Sequence, residues 1–76
     1  MRPIPKHGEI YKHFKGGLYK ILCVGHHSET KEKMVVYVHC QPDSEPCIRP
    51  FAMFMSEVDR SKYPEVEQKY RFELME

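Results

Sequence analysis

No stretch of this 76-residue chain approaches the roughly 20 consecutive apolar residues that span a bilayer, so no membrane segment is expected. Cysteine is scarce as well. Cys23, Cys40 and Cys47 are odd in number and lack the dense spacing of a disulfide scaffold, which excludes the small secreted class and points to a reducing, cytoplasmic compartment. Charge of a single sign is missing too: 12 Lys and Arg face 11 Asp and Glu, a net charge of +1, far from the balance of a dedicated nucleic-acid binder. Repeats, low-complexity tracts and linkers are absent, and residues 1–8 hold two prolines and no apolar run, so a signal peptide is not expected.

What is present is one domain's worth of β-type pattern. Residues 1–7 are polar and proline-rich and read as a flexible N-terminal arm, leaving 8–76 as a single small domain. Ile10 and Phe14 alternate with Tyr11 and His13, which suits a half-buried strand, and Lys15-Gly16-Gly17 marks a tight turn. Leu18 to Val24 reads as a well-covered strand with Ile21 and Cys23 on one face, and the polar run from Gly25 to Lys33 as a projecting loop. In Met34 to Cys40 the alternation predicts Met34, Val36, Val38 and Cys40 facing inward and Val35, Tyr37 and His39 outward. Gln41 to Pro46 is a turn by composition, and Cys47 to Arg49 a short strand. Phe51, Phe54, Met55 and Val58 then recur at helical spacing behind Pro50, Asp59 to Lys69 is a connection, and Tyr70 to Leu74 makes a closing strand. The fold class is therefore mostly β: a small antiparallel SH3-like barrel of about five strands, with a short helical turn before the last one. An α+β roll is the competing architecture.

Three kinds of site can be weighed. Cys23, His26, His27, His39, Cys40 and Cys47 offer zinc-type ligands, but no Cys-x-x-Cys knuckle holds them, and Cys23 and Cys40 read as small core hydrophobes, so neither a metal nor a cofactor is expected. A nucleophile such as Cys47 or Ser28 has His27, His13 or His39 as candidate bases, and a small hydrolase would rely on His27 with Glu29. No credible catalytic set emerges, since adjacency in sequence does not create the geometry. The third kind is a binding surface: Tyr11, His13, Tyr37 and His39 could share one face, overhung by a loop carrying His27, Glu29 and Thr30, with Lys15 and Arg49 supplying charge. The first 20 residues carry a net charge of +4 and leave −3 for the rest, so a basic end could meet an anion. A small anionic ligand, a nucleotide, nucleic acid or a peptide would suit such a surface. Because short chains bury only about 60% of their unfolded surface, self-association would help, and Phe51, Phe54 and Met55 could support a homodimer or a structural adaptor.

Several motifs are distinctive in themselves: Tyr-x-His-x-Lys-Gly-Gly at Tyr11 to Gly17, His-Ser-Glu-Thr at His27 to Thr30, and Arg-Pro-x-x-Met-Phe at Arg49 to Phe54. Together with the tail from Lys62 to Leu74 they resemble the bacterial domain-of-unknown-function family 1653, over roughly Gly8 to Leu74. The chain departs from that family's usual pattern between Val38 and Cys47, where His39, Cys40, Gln41 and Pro42 stand. The resemblance implies a compact cytoplasmic domain and supplies no catalytic residues. The expected function is a non-enzymatic binding module.

Overall fold

The first strand, β1 (Ile10–His13), is turned back on itself by Phe14 to Gly17, where the His13 amide donates to the Gly17 carbonyl at 2.7 Å and Gly16 donates to His13 at 2.8 Å. Gly16 sits at φ +107°, a conformation that costs a Cβ-bearing residue, which is why a glycine stands in this turn. The returning strand, β2 (Leu18–His26), pairs with β3 (Lys33–His39), and β3 in turn with β4 (Cys47–Pro50). One helical turn, α1 (Phe51–Phe54), follows directly, started by Pro50 with its fixed φ of −54°. The chain closes with β5 (Phe72–Leu74) against β1. The computed structural model describes residues 2–75, and among them no helix is long and apolar enough to cross a membrane.

The result is one antiparallel five-stranded sheet in the order β4-β3-β2-β1-β5. The expected strand number and the helical turn before the last strand are both present. The barrel is not closed, because β4 and β5 are the two edges and no ladder joins them.

The core lies on the face of the sheet that α1 covers and is built on aromatic rings. Phe54 and Phe72 stack at 4.2 Å and 11°, and Tyr11 and Tyr37 meet them at 5.4–5.5 Å in tilted or edge-on contacts. Ile21 and Val35 complete this buried cluster, and Val58 is buried as well. Aromatic rings bury 150–250 Å² each by general experience, so four of them give a short chain the core that its aliphatic residues cannot.

This aromatic core reverses the expected facing of β3. Val35 and Tyr37 are 0% and 3% exposed, whereas Met34, Val36 and Val38 are half-buried on the opposite face and Cys40 is exposed. Alternation fixes which residues share a face but not which face is inside, and the bulky Tyr37 decides it. In β2 the phase itself shifts. A bulge at Leu22, between the pairs Ile21 with Tyr37 and Cys23 with Val36, puts Ile21 and Val24 on the core side and leaves Cys23 exposed. Cys23 and Cys40 are therefore surface thiols, not core hydrophobes.

Two further observations concern the arm and the apolar run behind Pro50. Within the expected arm, Arg2 and Pro5 pack onto the rest of the chain: the Arg2 guanidinium donates to the Met55 and Phe72 carbonyls at 2.9 and 2.5 Å and stacks 3.9 Å over Tyr70, and Pro5 is buried, while Pro3, Ile4, Lys6 and His7 are exposed. The expected self-association surface is also mostly internal. Phe54 is fully buried, and Phe51 and Met55 pack half-buried against the same core, so of that apolar run only Ala52 and Met53 are exposed.

Candidate functional site

The β1–β2 turn projects Phe14 and Lys15 from the end of β1, and the long connection before β5 comes back to meet them. That connection is an organised loop. The Asp59 carboxylate accepts from the Ser61 amide at 3.0 Å and from its hydroxyl at 2.6 Å, while the Asp59 carbonyl takes the amides of Lys62 and Tyr63 at 3.2 and 2.9 Å. Arg60 donates to the carbonyls of Val66 and Gln68, fastening the loop to itself. Tyr63 is thereby set edge-on against Phe14 at 4.9 Å, and the Lys15 ammonium lies 5.3 Å from the centre of the Tyr63 ring. The Phe14 amide donates to the Arg71 carbonyl at 3.0 Å, which draws Arg71 to the same place.

These contacts enclose a cavity of about 330 Å³, lined by His13, Phe14, Lys15, Arg49, Asp59, Lys62, Tyr63 and Arg71. Arg49 enters from β4 at the far edge of the sheet. Its Nε donates to the Tyr37 hydroxyl at 3.0 Å, and its guanidinium lies 5.6 Å from the Phe72 ring centre. Arg49 of the β4 edge and Arg71, next to β5, thus line one opening.

Four cationic side chains and one carboxylate line this space. His13 is neutral among them: burial first, then the charges of Arg49, Lys15 and Arg71, hold its pKa below the ordinary 6.5. Its Nδ1 accepts the Lys15 amide at 3.2 Å, so in the neutral ring Nε2 carries the proton and is a donor. Asp59 is held below its ordinary range, chiefly by the Ser61 hydroxyl, then by the Ser61 amide, with Lys62 contributing. The lining therefore carries a net charge of +3 at neutral pH.

Of the residues expected at a binding surface, His13, Lys15 and Arg49 come together here. Tyr11 and Tyr37 do not share an exposed face with them; both are 3% exposed and belong to the core. Tyr37 reaches the site only through its hydroxyl. The Tyr11 phenol is pushed above its ordinary pKa by burial, reinforced by Glu9 and opposed by Arg2, and stays protonated.

His27, Glu29 and Thr30 lie elsewhere, in the β2–β3 loop. β2 is nine residues long, so that loop begins about 26 Å from the strand's other end, where the cavity is. His27 Nδ1 accepts the amides of Glu29 and Thr30 at 3.1 and 3.2 Å, and Thr30 Oγ1 accepts the Glu32 amide at 3.2 Å, so these side chains close the loop. All are exposed, and the cavity beside this loop is lined by Val24, Gly25, His26, Lys31 and Lys33, not by the His27 and Glu29 that a base-carboxylate pair would require. Among the described residues no three His, Cys, Asp or Glu side chains lie together as metal ligands would.

Phe14, Asp59, Lys62, Tyr63 and Arg71 were not expected at the site. The available signal was a second group of cations and tyrosines near the C-terminus, Arg60, Lys62, Tyr63, Lys69, Tyr70 and Arg71, which matches in kind the basic group at the other end.

A family model described as Protein of unknown function (DUF1653) matches residues 9–74. The chain belongs to this family. The matched span contains every residue that lines the cavity and leaves out Arg2. Neither a curated protein nor a solved structure matches the chain. Membership in the DUF1653 family therefore names no activity, and the chemistry of the cavity has to be read from its own residues.

Proposed function

We propose that this protein is a non-enzymatic binding module of the bacterial cytoplasm that holds a small anionic ligand in the cavity between the β1–β2 turn and the 59–69 loop. The observation that carries this reading is the convergence of Lys15, Arg49, Lys62 and Arg71 on one concave space with a single carboxylate among them. Like charges gathered without compensation repel one another, so an anion that enters relieves the repulsion as well as making charge-assisted hydrogen bonds. Neutral His13 adds a donor without adding to that repulsion. Three exposed free thiols fit a reducing compartment.

An amide-resolved titration with pyrophosphate tests the reading. The resonances of His13, Phe14, Lys15, Tyr63 and Arg71 shift together on a single binding curve, and the affinity falls as salt is raised. Pyrophosphate, phosphate and citrate all leaving these amides unmoved at low salt would refute it.

A further inference from the structure

The charge and shape of the same cavity narrow the ligand class, an inference that rests on the anion-binding reading above. We propose that the cavity takes the dianionic phosphate of a phosphomonoester on a small ring-bearing molecule, with a nucleoside 5′-monophosphate as the simplest case.

The net charge of +3 favours a multiply charged anion over a monoanion. A carboxylate or a phosphodiester would leave two positive charges uncompensated, whereas a phosphomonoester, whose second pKa is about 6, carries close to two negative charges at pH 7.5. The donors are of the matching type. Arg49 spends its Nε–H on Tyr37 at 3.0 Å, which fixes the guanidinium and leaves the N–H groups of its two terminal nitrogens for a ligand. Arg71 brings a second guanidinium from the opposite sheet edge, and planar forks of this kind grip phosphate oxygens in pairs.

Shape decides between a terminal phosphate and a phosphate chain. A nucleic-acid backbone calls for cations strung along a groove. Here they arrive from separate segments, the β1–β2 turn, β4, the 59–69 loop and the approach to β5, and meet at one cavity of about 330 Å³, near the lower end of the range for small-molecule sites.

The wall supplies the rest of the ligand's chemistry. Phe14 and Tyr63 meet edge-on at 4.9 Å and are both half-buried beside the cations. An aromatic pair bordering a phosphate site is a surface for a flat ring linked to that phosphate.

Binding of adenosine 5′-monophosphate, 3′,5′-cyclic AMP, adenosine, inorganic phosphate and citrate to the full chain at pH 7.5 separates the alternatives. The monophosphate binds about 10-fold or more tighter than the cyclic monoanion, as the loss of one charge-assisted contact set implies, and adenosine alone does not bind. It also binds tighter than inorganic phosphate, and Tyr63→Leu removes that advantage. Arg71→Gln weakens the monophosphate about 10-fold, and Lys62→Gln, at an exposed position that the core does not use, weakens it as well. Oligonucleotides with and without a 5′-phosphate distinguish a free nucleotide from a strand end as the source of the group.

Equal binding of the cyclic and open monophosphates, or citrate as tight as the monophosphate, would overturn the dianion assignment while leaving an anion site in place. Inorganic phosphate binding as tightly as the nucleotide would overturn the ring. Failure of every anion would remove the site itself.

Discussion

Removing one oxygen atom, by Tyr37→Phe, tests whether the core and the cavity are joined through Arg49. The ring stays in its contacts with Phe54 and Phe72 at 5.5 Å, so the packing is preserved and only the acceptor of the Arg49 Nε–H is lost. A hydrogen bond to a charged group contributes about 1.5–3 kcal/mol. Arg49 is half-buried and regains water when released, so the value falls below that range, to about 1 kcal/mol in stability. For a domain of this size that lowers the midpoint of thermal unfolding by about 4–8 °C. The clean assay is a double-mutant cycle with Arg49→Met in urea, read as a coupling of about 1 kcal/mol between the two positions. Arg49→Lys does not restore it, because an ammonium has no N–H at the Nε position. A coupling indistinguishable from zero would refute the idea that Tyr37 holds Arg49 in place, and would leave the guanidinium's position to the sheet alone.

Arg2→Ala removes two bonds to carbonyls and the stacking on Tyr70, and is expected to cost about 1–2 kcal/mol in urea unfolding, with Arg2→Lys recovering less than half. Gly16→Ala forces a Cβ-bearing residue to φ +107° and lowers stability by about 1 kcal/mol by the same measurement, with the amides of Phe14 and Lys15 shifting most. His13 has a depressed folded-state pKa, so between that value and 6.5 the unfolded chain binds more protons than the native one. Its contribution to stability is full above pH 6.5 and is lost as pH falls through the folded pKa; His13→Gln flattens the fall in urea midpoint between pH 7.5 and 5, and an unchanged slope would count against it. Phe54→Ala opens a void under the stacked Phe72 and costs about 3–5 kcal/mol, enough to leave much of the protein unfolded at room temperature by circular dichroism.

The elements were legible because their signals are local. Alternation located β1, β2 and β3, Gly16-Gly17 the first turn, and Pro50 the start of α1. Facing was not, because it is set by partners. The side of the sheet on which Tyr37 lies depends on Phe54 and Phe72, far along the chain, and the bulge at Leu22 leaves no mark in an otherwise regular apolar run. The site divides in the same way. His13, Lys15 and Arg49 stand beside recognisable turns and strand ends, so their exposure near charge could be anticipated. Lys62, Tyr63 and Arg71 enter through a loop whose form depends on Asp59 and Arg60 bonding to nearby main-chain and side-chain groups, and no spacing rule links that loop to a turn nearly 50 residues earlier.

The missing ladder between β4 and β5 has a further consequence. Arg49 stands in one edge strand and Arg71 directly before the other, and both side chains line the same cavity. An edge strand keeps a row of main-chain N–H and C=O groups that a neighbouring strand could pair with. β5, three residues long, ends the strand order, so Arg71 beside it is placed by loop and turn contacts such as its carbonyl's bond from the Phe14 amide, and not by a neighbouring strand.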